Sequence, residues 1–230
     1  MNKTFRFLIL AVTKTYGGYC IAGMDKKGKW IRPLPVGAGK FWGISLDANN
    51  TSRYIKVGDV WEISQYEKEY DPTSPGHTED IRLKSKPIYI GSLSNDQLVK
   101  FVNNHQECKE ELELTLNADS RSLCLIKASE FRNFMDRSTY DGRESPRMTF
   151  EFQGKTYRNT TTSTTGFPIT DLKWRAYTIQ RKETQNNFDD TFICIGLARI
   201  EKKKNITREY PMVISVITNP EVPLLPTYPN

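Results

Sequence analysis

Residues 14–35, KTYGGYCIAGMDKKGKWIRPLP, constrain the fold of this chain more than any other stretch. Gly17-Gly18 marks a tight turn, and the apolar run from Tyr19 to Ala22 reads as a strand. Asp25-Lys26-Lys27-Gly28 is a polar connection with a glycine, and Trp30-Ile31-Arg32 is a second strand cut short by Pro33. The hairpin so formed carries Lys14, Tyr16, Tyr19, Lys26, Lys27, Lys29, Trp30 and Arg32. Cations interleaved with aromatics on a twisted sheet offer charge for phosphates and flat faces for bases. The same residues also suit an edge hairpin with a solvated lysine rim and a core tryptophan. Both readings stay open.

The remaining signals are mostly β. Twelve prolines and fourteen glycines are scattered along 230 residues, and long helical periods are few, which favours short strands and many turns. Phe5 to Val12 is nearly continuous in apolar character, as a central strand requires. Val57–Ser64, Ile81–Ile90, Ser122–Ala128, Met148–Gln153, Thr156–Arg158, Phe192–Arg199 and Met212–Thr218 read as further strands. Ser94 with Gln97 forms a capping box and Leu93 can staple onto Leu98, so a helix runs from there to about Asn103-Asn104. Residues 107–116 fit strand or helix. Tyr66 to Asp80 reads as an exposed loop with a solvated His77, and Phe131 to Pro146 as a charged segment of solvated ion pairs. Residues 160–165 form a Thr-rich edge or loop, Lys202-Lys203-Lys204 a hairpin tip, and the Pro-rich tail after Asn219 an extended surface run.

Charge is uneven along the chain. Residues 1–56 hold ten Lys or Arg against two acids, so they carry +8 of the total +6, and the rest sums to −2. A basic face confined to one segment points to a polyanion such as nucleic acid. No basic amphipathic helix accompanies it, which argues against a membrane partner. Cys20, Cys108, Cys124 and Cys194 lie far apart without a C-x-x-C pair, so they read as buried free thiols of a cytoplasmic protein, with no metal and no cofactor expected. The glycine-punctuated loop 36–43 lacks the P-loop ending, but its Lys40 and Trp42 are candidates to close over a ligand. Asp171, Trp174, Arg175 and Arg199 form a second cluster of charge and aromatics.

In order, these elements resemble the bacterial dual OB-domain family. The hairpin motif is carried by Cys20, Ala22, Gly23, Asp25, Gly28, Trp30, Ile31, Arg32, Pro33 and Leu34, and a V-G-D-V-W-E element by Val57 to Glu62. Phe150, Gly154, Tyr157, Thr170, Asp171, Trp174 and Arg175 match a third motif, and Ile195 to Arg199 (IGLAR) a fourth. The long Thr-rich stretch before Asp171 departs from the pattern and leaves the geometry around Asp171 open. The resemblance implies two small OB-like barrels packed together, a role in nucleic-acid binding and a setting among bacterial defence genes. The division that follows is residues 1–104, ending in the connecting helix, and residues 105–230.

Catalytic material is sparse. His77 and His105 are the only histidines, and the adjacent pairs Glu110-Glu111 and Asp189-Asp190 would face opposite ways on a strand. The expectation is a non-enzymatic nucleic-acid-binding module. Its alternative is an adaptor or nucleotide sensor that controls a protein effector.

Overall fold

The computed structural model describes residues 4–15, 18–43, 54–159, 164–181, 183–185, 188–200, 208–226 and 228. The first half is one seven-stranded sheet. Its strands are β1 (Phe5–Thr15), β2 (Gly18–Asp25), β3 (Trp30–Leu34), β4 (Asp59–Ile63), β5 (Tyr66–Lys68), β6 (Asp80–Leu83) and β7 (Ile88–Ser92), in the order β5-β6-β3-β2-β1-β4-β7. Two helices follow, α1 (Asn95–Asn104) and α2 (Lys109–Leu116). The second half holds β8 (Leu123–Lys127), β9 (Glu130–Arg137), β10 (Glu144–Phe152), β11 (Lys155–Tyr157), β12 (Phe167–Pro168), α3 (Leu172–Arg181), β13 (Glu183–Gln185), β14 (Asp190–Leu197) and β15 (Pro211–Asn219). Strands β15-β14-β8 form one sheet, and β11-β10-β9-β13 with β12 another. The protein is mainly β, as its composition predicts.

β1 is central, and both of its faces are covered, which explains its unbroken apolar run. Phe7, Ile9 and Val12 enter a core built mainly by the first half and joined by Leu172, whereas Leu8, Leu10 and Ala11 enter a different one. A bulge between Ile9 and Ala11 puts Leu10 and Ala11 on the same side. At this crowded point a Cβ on Gly23 would meet the Leu8 carbonyl oxygen at 1.9 Å, so no side chain fits there.

The core that takes Leu8 and Leu10 is shared. Met24 and Trp30 meet Leu125, Phe192, Cys194, Ile214 and Ile217 in it, and Leu98 and Val102 of α1 close one side. A third core around Trp174, Phe150 and Phe131 belongs to residues beyond 104. α1 starts on its capping box: Ser94 Oγ accepts from Gln97 N at 3.3 Å, and Gln97 Oε1 accepts from Ser94 N at 3.0 Å.

Several expectations change. β3 runs through Pro33 because it pairs in parallel with β6, where Arg32 N donates to the Glu79 carbonyl. Residues 131–146 form most of the β9–β10 pair rather than a solvated segment, with Phe131 and Asn133 buried inside. Residues 107–116 resolve as helix α2 with Leu112 buried, and Asp171 to Arg175 begin a third helix. Residues 66–80 turn inward, burying Ser74, His77 and Glu79. Cys108 is exposed at the start of α2, not buried. The tail is not merely draped over the surface: Val222 is buried, and the Tyr228 hydroxyl donates to the Ile55 carbonyl at 2.7 Å. Residues 160–163 and the lysine tip at 202–204 lie outside the described residues.

Candidate ligand cleft

The first hairpin does not present its aromatics to solvent. Tyr19 and Trp30 are buried, and Trp30 Nε1 donates to Glu107 Oε2 at 3.0 Å. Their apolar bulk is worth more inside the two cores than at a wet surface. Trp42 is half-buried; it exchanges backbone hydrogen bonds with Tyr19, donates Nε1 to the Pro33 carbonyl at 2.9 Å and sets its ring edge-on to Trp61. Lys40 Nζ is fastened to Asp71 at 2.7 Å. The loop is pinned by these bonds, so neither residue is poised to close over a ligand. Tyr16 lies outside the described residues. The exposed cations that remain are split: Lys14 stands opposite Tyr19 on β1, and Lys29 beside the Asp25 turn at the far end of β2. Six residues of strand separate those ends, roughly 20 Å. Tyr19, Trp30 and Trp42 therefore build no stacking platform with these lysines.

Arg32 has a different role. It is 5% exposed and donates NH1 to Asp80 Oδ1 at 3.2 Å and NH2 to Ser122 Oγ at 2.7 Å. NH1 also contacts His77 Nδ1. An arginine cannot accept, so Nδ1 must, and the imidazole is the neutral Nε2–H tautomer. Burial, reinforced by the charges of Arg32, Arg199 and Lys40, holds His77 well below the usual histidine range. Its Nε2 lies 3.1 Å from Glu209 Oε1 without hydrogen-bond alignment.

Asp80, fully buried, takes Arg32 on one oxygen and Arg199 NH2 on the other. Arg199 NH1 reaches Asp71 at 3.3 Å. Arg32 comes from β3 and Arg199 from the residues after β14, so the two carboxylates fasten one half of the molecule to the other. Burial acts to raise the Asp71 pKa, but hydrogen bonds from Lys40 and Thr73 outweigh it and hold the carboxyl at about 2.

This network floors a cavity of about 400 Å³ between the halves. Among the described residues four cations line it, Lys14, Arg32, Arg175 and Arg199, and no Asp or Glu does. Phe41, Tyr210, Met212 and Ile214 supply aromatic and apolar surface. Lys14 and Arg175 side chains have no acidic partner among the described residues, and Arg199 Nε, buried, has no acceptor among them. Cys20 lines the same space, its thiol pushed up by burial although Arg32 and Arg199 pull the other way.

α3 presents Arg175. Asp171 caps the helix: its Oδ1 accepts from Trp174 N at 2.9 Å, and its Oδ2 accepts from Val216 N on β15 at 2.9 Å. Burial raises the Asp171 pKa, against the pull of these hydrogen bonds. Trp174 is a core residue with no exposure. Of the second cluster, then, Asp171 and Trp174 position the helix while Arg175 and Arg199 face the cleft. Thr13 pairs with Asp171, and Lys14 N donates to the Thr170 carbonyl at 3.2 Å, so β1 and the start of α3 meet at the cavity.

The molecule is thus a two-part β protein with a cation-lined cleft where its halves meet. The chain belongs to the dual OB-containing domain family, whose model matches residues 5–216. No curated protein matches the sequence. Among solved structures, a murine DNA-binding protein bound with double-stranded DNA overlaps at a TM-score of 0.32 and 8% identity, covering 98% of this chain and 99% of that one. A tetrameric HIN2 overlaps at 0.30 and 10%, covering 93% and 98%. No helix among the described residues is long and apolar enough to cross a membrane.

Proposed function

We propose that this chain is a non-catalytic nucleic-acid-binding module that holds its ligand in the cleft between the halves. The observation that carries this reading is the lining: among the described residues, four cations and no carboxylate around about 400 Å³, with Phe41 and Tyr210 beside them. A space of that size lies within the range of small-ligand sites, roughly 300–1,000 Å³. Fixed positive charge meets a phosphate, and the aromatic and apolar side meets a base, which is the division of labour on single-strand binding surfaces. The first hairpin contributes Lys14 directly and Arg32 as part of the floor.

The test is anisotropy with an internally labelled single-stranded oligonucleotide at two salt concentrations. Binding should weaken as salt rises. Arg175→Gln should weaken it about tenfold or more, since a hydrogen bond to a charged group contributes about 1.5–3 kcal/mol. Lys29→Gln, at the distant hairpin tip, should leave it unchanged. The reverse pattern would move the site to the hairpin, and no binding at low salt would end the nucleic-acid reading.

A further inference from the structure

We infer that the cleft recognises a nucleotide bearing a terminal phosphate monoester, supplied either as a free mononucleotide or as the phosphorylated end of a strand. This rests on the nucleic-acid reading above and narrows it. The cavity is floored by buried side chains: Arg32, His77 and Arg199 are 5%, 3% and 7% exposed. Buried side chains at its base give the site depth, which suits a single nucleotide or the end of a strand. The volume, about 400 Å³, suits one nucleotide unit rather than several.

Charge points the same way. A monoester carries about −1.5 to −2 at neutral pH, more than the single charge of an internal diester. The cleft offers more than one uncommitted cationic donor. Lys14 and Arg175 are unpaired among the described residues, and Arg199 lines the site beside them. They come from β1, α3 and the residues after β14, three separate elements that reach the site only when both halves are folded. Arg199 spends a donor of each terminal nitrogen on Asp71 and Asp80, so its guanidinium is held in place before any ligand arrives. Fixed donors of this kind reduce the ordering cost of binding.

The experiment competes unlabelled ligands against the internally labelled oligonucleotide. The competitors are the same oligonucleotide with a 5′-phosphate, with a 3′-phosphate and with hydroxyl ends, a circular single strand, AMP, adenosine and inorganic phosphate. At least one phosphorylated linear strand should compete about tenfold better than the hydroxyl-ended one, and the circle no better than the latter. AMP should compete, whereas adenosine and inorganic phosphate should each be at least tenfold weaker. A phosphorylated strand much stronger than AMP assigns the site to strand ends, and equality assigns it to free nucleotides. In Arg175→Gln, checked to melt like the parent, the preference for phosphorylated over hydroxyl ends should disappear. If the circle competes as well as the phosphorylated linear strands, the inference fails while the nucleic-acid reading stands. If the phosphate preference survives in both Arg175→Gln and Lys14→Gln, the inference also fails. If nothing binds, both readings fail together.

Discussion

Trp30 shows how one residue can be placed two ways by its neighbours in sequence. Flanked by Lys29 and Arg32, it has the company of a stacking residue, yet its ring lies in the core shared by the two halves. Its indole N–H is satisfied by Glu107, which also accepts from Leu125 N at 2.8 Å and pairs with Arg121. Trp30→Ala should cost about 3–5 kcal/mol in urea unfolding. Oligonucleotide affinity of the protein that remains folded should be unchanged; a large loss of affinity at full stability would return Trp30 to the binding surface. The apolar character of the strand was readable from the residues alone. The side its ring faces was not, because that depends on Leu125, Phe192 and Ile214, far along the chain. Arg32 is a parallel case: Asp80 and Ser122 turn a candidate phosphate contact into part of a buried network.

α3 is the element that sequence reasoning missed and on which the site depends. Its signal was present as Asp171 followed three residues later by Trp174, but Asp before a short basic run also reads as a loop. What decides the matter is Val216 on β15, whose N–H holds the second oxygen of Asp171. Asp171→Ala removes the cap and leaves that N–H unpaired. Stability should fall by about 1–3 kcal/mol, and affinity should fall with it because Arg175 loses its support. Unchanged affinity would mean that α3 does not hold Arg175 at the ligand. The α1 capping box, by contrast, was plain in Ser94 and Gln97, because both partners lie within one turn. Local signals of this kind carry through to the structure. Strand β9 did not, since alternating charges hid Phe131 and Asn133 inside it.

The two halves are joined by apolar packing and by the Asp71–Arg199–Asp80–Arg32 network. Asp71 makes the junction sensitive to acid. Its folded pKa of about 2 lies below its ordinary 3.8, so it stabilises the fold above about pH 4 and loses that contribution as pH falls towards 2. The shift corresponds to at most about 2 kcal/mol. Burial raises the pKa values of Asp171 and Glu209, whose contributions have the opposite sign. Chemical denaturation of the parent and Asp71→Asn between pH 5 and pH 2 should therefore be compared as a difference, from which the Asp171 contribution cancels and that of Glu209 cancels in part, since the Asp71 charge is one cause of its raised pKa. The stability gap should shrink by about 2 kcal/mol across that window; a constant gap would show that Asp71 is not the acid-sensitive link. The junction was hidden from the sequence because residues 66–80, which supply Asp71, His77 and Asp80, look like any polar loop.

The shared core has a consequence for the chain while it is being made. Leu8, Leu10, Met24 and Trp30 leave the ribosome well before their partners Phe192, Ile214 and Ile217, which lie nearly two hundred residues further along the chain. At about 5–20 residues per second, nearly two hundred residues of translation take roughly 10–40 s. For that interval the first sheet must keep an apolar face uncovered, which gives a chaperone a fixed window of access to this protein on every round of synthesis.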